Sequence, residues 1–153
     1  RLAPYGIHSI EQPVAPKYRD TLTELCAHCP ISIALDESLI SVSLPEDREQ
    51  LLDELRPDYL ILKPSLIGGF RACEDWIDKA EQRGIQWWVT SALESNIGLN
   101  AIAQWTYNKH SKLLQGLGTG SLFTNNIKGP LTVERGKLWY NTQKTWSKIQ
   151  EVL

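Results

Sequence analysis

The chain has 153 residues, 42% of them hydrophobic and 22% charged, with a formal net charge of -2. This composition suits a globular chain with one sizeable core and argues against disorder. The near-balanced charge, with no block of one sign, excludes the electrostatic footprint of a nucleic-acid or membrane-surface binder, and no apolar run approaches the roughly 20 residues that span a bilayer.

Three cysteines are too few for a disulfide framework and point to a reducing, cytoplasmic setting. There is no methionine and residue 1 is Arg, as expected of a trimmed or partial chain.

In chain order, short apolar runs alternate with amphipathic stretches. Ile7 to Ile10 reads as a strand ending at Glu11. Tyr18 to Cys29 reads as a helix with Leu22, Leu25, Cys26 and Cys29 on its buried face. Pro30 blocks its continuation. Ile31 to Leu35 is a second strand, ending at Asp36. A helix runs from Pro45, well suited to a first turn, to Leu55. Tyr59 to Leu62 is a third strand, ending at Lys63. Gly69 to Arg83 is a helix closed by Gly84. Ile85 to Thr90 is a fourth strand, and Asn96 to Asn108 a helix carrying Ile97, Ala101 and Trp105. Leu113 to Gln115 reads as a short fifth strand entering a glycine-rich stretch, Gly116 to Gly120. The pattern then changes. Leu131 to Glu134 and Lys137 to Tyr140, joined at Arg135-Gly136, predict a β-hairpin. A polar tail with Trp146, Ile149 and Val152 follows, with a short helix as one reading.

Repeated strand–helix units predict a parallel sheet with right-handed crossovers, either a doubly wound open sheet or part of a (β/α) barrel. Glu11, Asp36, Lys63 and Ser91 each follow an apolar strand and recur every 25 to 28 residues. In a barrel such positions face one mouth, where active sites lie, so the barrel is favoured. Two neighbouring carboxylates, Glu11 and Asp36, repel each other and suit a hard divalent cation, most plausibly Mg²⁺. Lys63 on the next strand adds a second cation. A metal and a lysine at one mouth both stabilise developing negative charge, as an enolate intermediate requires. The competing reading of each residue is a solvated loop charge.

The motifs carry a specific resemblance. Ile10-Glu11-Gln12-Pro13, Ala34-Leu35-Asp36-Glu37-Ser38 and Ile61-Leu62-Lys63-Pro64-Ser65 resemble the fourth-, fifth- and sixth-strand motifs of the enolase superfamily. Thr90 to Gly98 resembles its seventh-strand Ser-x-x-Glu-Ser-x-x-Gly motif, and Gly116 to Thr119 falls at the eighth strand. The resemblance implies an α/β fold, the C-terminal portion (about strands four to eight) of an enolase-type (β/α)7β barrel. Residues 1–122 would belong to the barrel. Residues 123–153 would form a hairpin and tail packing toward a capping domain absent from this chain. It implies a catalytic Lys63, with Glu11 and Asp36 as ligands of Mg²⁺. Thr90, Ser91 and Gly116 would bind substrate, and Glu37 and Glu94 would support the contacting residues from behind. A third metal ligand and a lysine base would come from strands one to three, so residues 1–153 alone are expected to be inactive.

Within the superfamily the eighth strand lacks the acidic pair that holds a substrate ammonium group in dipeptide epimerases. The chain therefore resembles the o-succinylbenzoate synthase family, in which backbone amides hold a substrate carboxylate. That resemblance implies a lyase of menaquinone biosynthesis acting on a small carboxylate, whose partners are the rest of its own polypeptide. A superfamily racemase acting on N-acylamino acids, with Lys63 as a second base, is an alternative. A non-catalytic fragment that needs a partner to fold is another.

Other features are read as structural. Cys26-Ala27-His28-Cys29 lacks the second ligand pair of a zinc site. His8 and the Trp87-Trp88 pair are read as packing. Gly116 to Gly120 lacks the Lys-Ser/Thr of a phosphate loop.

Overall fold

Each apolar run in the first part of the chain ends at a charged residue or a turn, and the backbone follows those breaks. A computed structural model of the protein describes residues 2–148. It divides into two compact units, Arg1–Trp88 and Val89–Leu153.

In the first unit a 3₁₀ turn at Ala3–Tyr5 precedes β1 (Ile10–Glu11), α1 (Arg19–His28), β2 (Ile33–Leu35), α2 (Glu37–Ile40), α3 (Pro45–Leu55), β3 (Tyr59–Leu62) and α4 (Gly69–Gln82). β4 (Gln86–Val89) closes the unit, and its last residue opens the second. The sheet order is β1-β2-β3-β4. β1 and β2 are parallel with Glu11 opposite Ala34, and β2 and β3 are parallel with Leu35 opposite Leu60. Ile33, Ala34, Leu35, Leu60, Ile61 and Leu62 are all buried. Such uninterrupted apolar runs mark strands covered on both faces, the pattern of parallel sheets.

The helices pack in chain order, α1 on α3 and α3 on α4. α3 starts on Pro45 with Glu46 and Asp47 in its first turn, both favourable at a helix N-terminus. Between α3 and α4, the buried Arg48 reaches Asp75 at 2.7 Å, and Lys79 joins Asp75 at 3.0 Å and Glu49 at 2.9 Å. Arg48 also lies over the fully buried Trp76 ring, 5.6 Å from its centroid. Gly84 follows α4 with φ 70, the left-handed residue its position predicts.

The second unit holds α5 (Asn96–Tyr107) and an antiparallel hairpin, β5 (Leu131–Glu134) with β6 (Lys137–Tyr140). Arg135 and Gly136 have φ 51 and 73, the double positive φ of a two-residue hairpin turn with matching twist.

Several expectations need correction. β1 begins at Ile10 rather than Ile7, so His8 lies outside the strand and is exposed. Its ring still packs, 4.8 Å from Tyr59 and 6.0 Å from Trp88. The fifth strand expected at Leu113 to Gln115 does not form. The Gln115 side chain takes its place: Oε1 accepts from Val89 N at 2.7 Å, and Nε2 donates to Leu113 O at 2.7 Å. Only a parallel bridge between Thr90 and Gly116 remains. On α5 the buried residues are Leu99, Ile102 and Thr106, while Ile97 and Ala101 face out. Cys26 and Cys29 are half-buried, and Leu22 is the fully covered residue of α1, whose helical packing is with α3. Residues 141–148 form a turn followed by chain without regular secondary structure, not a helix. Trp146 lies over Gly129, where a Cβ would collide with its ring. Ile149 and Val152 lie outside the described residues.

Candidate active site

A parallel strand delivers its C-terminal residue to the same edge of the sheet as its neighbours, and the register brings three ionisable side chains together there. Glu11 ends β1, Asp36 follows β2, and Lys63 follows β3. Lys63 Nζ donates to Asp36 Oδ2 and lies 3.9 Å from Glu11 Oε1. Asp36 is 2% exposed, so its charge needs the lysine beside it. Glu11 is more open, at 57% of its side chain. Its carboxyl is nevertheless held above the ordinary range, by burial first and then by the hydrogen bond and charge of Asp36, with the Lys63 ammonium opposing. Glu37, exposed in the first turn of α2, adds its negative charge to the same effect. The three groups therefore lie together at one edge of the sheet and act on one another electrostatically.

Gln12 belongs to this site and the sequence reading missed it. Its backbone N–H donates to Ala34 O at 2.8 Å. Its side-chain Oε1 accepts from the backbone N–H groups of Asp36 and Ser38, each at 3.1 Å. Its Nε2 donates to Val14 O at 2.8 Å and Ser38 Oγ at 2.9 Å. The available signal is its place before Pro13, which restricts its backbone but says nothing of where the amide goes.

In the second unit the expected substrate-binding residues bond to one another. Gly116 N donates to Val89 O at 2.8 Å, and Ser91 N donates to Gly116 O at 3.1 Å. A Cβ on Gly116 would lie 2.6 Å from Thr90 Cγ2, so the pairing requires glycine there. Thr90 Oγ1 is buried with no hydrogen-bond partner among the described residues. Ser91 Oγ donates to Glu94 at 2.7 Å and accepts from Leu93 N at 2.9 Å. Glu94 also accepts from Ala92 N at 3.0 Å, closing a loop in which Leu93 holds φ 66. A Cβ on Gly98 would lie 3.0 Å from Glu94 Cβ, which gives the glycine of the Ser-x-x-Glu-Ser-x-x-Gly motif a packing reason. Glu94 thus braces the loop from within. The backbone amides of Ser91 and Gly116 are thus both bonded within the protein.

The chain matches the enolase C-terminal domain-like family over residues 1–144. It is 51% identical over 138 residues to an o-succinylbenzoate synthase of Desulfotalea psychrophila, covering 90% of this chain and 37% of that protein. It is 34% identical over 100 residues to an o-succinylbenzoate synthase of Vibrio cholerae, covering 65% of this chain and 30% of the relative. The crystal structure of MenC from Desulfotalea psychrophila superposes with a TM-score of 0.86 at 51% identity, over 90% of this chain and 38% of that one. A muconate cycloisomerase variant does so with a TM-score of 0.82 at 25% identity, over 99% and 42%. The chain thus spans between 30% and 42% of the length of these relatives. Among the described residues no helix is long and apolar enough to cross a membrane. The fold is α/β with a parallel sheet, a part of an enolase-type barrel, and the chain belongs to the enolase C-terminal domain-like family.

Proposed function

We propose that the full-length protein carrying these residues is an o-succinylbenzoate synthase, a cytoplasmic, Mg²⁺-dependent lyase of menaquinone biosynthesis. Its reaction would be the syn dehydration of 2-succinyl-6-hydroxy-2,4-cyclohexadiene-1-carboxylate. The observation that carries this reading is the convergence of Glu11, Asp36 and Lys63 at adjacent strand ends. The 51% identity to a named synthase supports it.

The donor set fits a hard cation. Glu11 and Asp36 offer oxygen ligands at one site; the Glu11 carboxyl is raised by burial first and then by Asp36, and a divalent charge would offset the repulsion between the two carboxylates. Among the described residues no three His, Cys, Asp or Glu side chains converge, so the pair would supply two of the ligands. When bound, the ion would supply Lewis-acid stabilisation of negative charge on the substrate. Lys63, beside both carboxylates, would add a second positive charge facing the substrate. The Thr90 hydroxyl and the loop fixed by Ser91, Glu94 and Gly116 would position a substrate carboxylate. The proton-abstracting base and the remaining ligand would come from the rest of the polypeptide. Residues 123–153 would pack toward a capping domain, with 1–122 contributing to the barrel. Residues 1–153 alone would then be inactive.

The test is turnover by the full-length protein, with the cyclohexadiene substrate and with N-acylamino acids. Dehydration that stops on chelation supports the synthase. Racemisation without dehydration moves the activity to the racemase, and neither activity rejects the enzymatic reading.

A further inference from the structure

We propose that Gln12 is a positioning residue that fixes the separation of the Glu11 and Asp36 carboxylates and so tunes the pair to a small divalent cation. The inference rests on the metal reading above.

β1 is only two residues long, and a ladder that short holds its last side chain weakly. Gln12 extends the connection. Its backbone continues the pairing to Ala34, and its side-chain amide then crosses to the next strand end, where it holds Asp36 N and Ser38 N through one oxygen. The same amide is itself anchored at Val14 O and Ser38 Oγ. The residue next to Glu11 is thus tied to the backbone of Asp36. Ser38 at the far end is 4% exposed, so the strut stands on a buried footing. Gln12 also holds φ 34, a conformation that non-glycine residues adopt only when their surroundings impose it. Asp36, at the N-cap of α2, makes no side-chain cap of its own, so the amide also satisfies the start of that helix.

Ion size separates positioning from mere capping. Mg²⁺ demands near-octahedral geometry at about 2.0–2.1 Å, whereas Ca²⁺ accepts irregular sets at about 2.3–2.6 Å. A loosened carboxylate pair therefore costs Mg²⁺ more than Ca²⁺, while general destabilisation weakens both alike.

The experiment is isothermal titration of the full-length protein, without substrate, using MgCl₂ alone and CaCl₂ alone. Gln12→Asn tolerates positive φ but is one methylene too short to reach across. Gln12→Met keeps the length and loses all four side-chain hydrogen bonds. Both should bind Mg²⁺ about 10–100-fold more weakly, a usual cost of removing a residue that orients a metal ligand, with a smaller loss for Ca²⁺. Ser38→Ala, which removes one of the four side-chain bonds, should shift the Mg²⁺/Ca²⁺ ratio in the same direction by less. It serves as the readout if the Gln12 variants do not fold. Parent-like affinities, or equal losses for both ions, would overturn the positioning role. A parent protein that binds neither ion would overturn the metal reading on which the role depends.

Discussion

In the first unit, ionisable side chains from three strand ends meet around Lys63, and a neutral amide fixes their spacing. In the second, the residues after β4 turn their polar groups on one another: Ser91 on Glu94, Glu94 on Ala92, Gly116 on Val89. The supporting cores differ as well. The strand ends of the first unit stand on a sheet of fully buried residues such as Leu35, Leu60 and Leu62, whereas the loop of the second is built largely from its own local hydrogen bonds. Charge in a site needs a rigid base, because a buried charge that loses its partner is costly. Uncharged donors can be positioned by a turn. The two regions should therefore respond differently to substitution.

The largest effect is expected at Lys63. In the full-length protein, Lys63→Ala should lower kcat by about 10²–10³, as when one charge-stabilising donor is removed. It should also destabilise the metal-free protein, because Asp36 is then left buried without its ammonium, and added Mg²⁺ should recover much of that loss in a thermal melt. A melt insensitive to Mg²⁺ would separate the lysine from the metal pair.

A smaller effect, on structure rather than charge, is expected at Gly116. The Cβ of Gly116→Ala meets Thr90 Cγ2 at 2.6 Å, and overpacking of this kind costs about 1–3 kcal/mol. Thr90→Ser, which removes that methyl, should restore most of the stability in the double variant. Additive losses would mean that the two residues do not oppose each other.

The smallest effect is expected at Glu94. Glu94→Gln can keep the Ser91 bond but turns an N–H toward Ala92 N, so the loop should loosen by about 1 kcal/mol. Steady-state kinetics of the full-length enzyme should show a raised KM with kcat little changed. A fall in kcat equal to that at Lys63 would erase the distinction between the two regions.

Much of this was legible in the residues. α3 and β3 run over the predicted spans because Pro45 and the continuous Tyr59 to Leu62 run are local signals. The three charged strand ends were legible because parallel strands deliver their last residues to one edge. Gln12 was not, because a side chain's choice of distant backbone partners leaves no periodic trace. Leu113 to Gln115 has the composition of a strand, but Gln115 bonds through its side chain where a ladder would use backbone. Which face of α5 is buried was not legible, since Leu99 and Ile102 compete with the equally apolar Ile97 and Ala101, and packing rather than pattern decides between them.

Divalent-cation binding by Glu11 and Asp36 is the property on which the proposed chemistry depends most directly. Titration of the full-length protein with Mg²⁺ by calorimetry, for the parent and for Glu11→Gln and Asp36→Asn, tests it without reference to turnover. The account predicts one site in the parent and loss of measurable binding in both variants, with folding checked by circular dichroism. Parent-like Mg²⁺ affinity in a folded Asp36→Asn variant would contradict it.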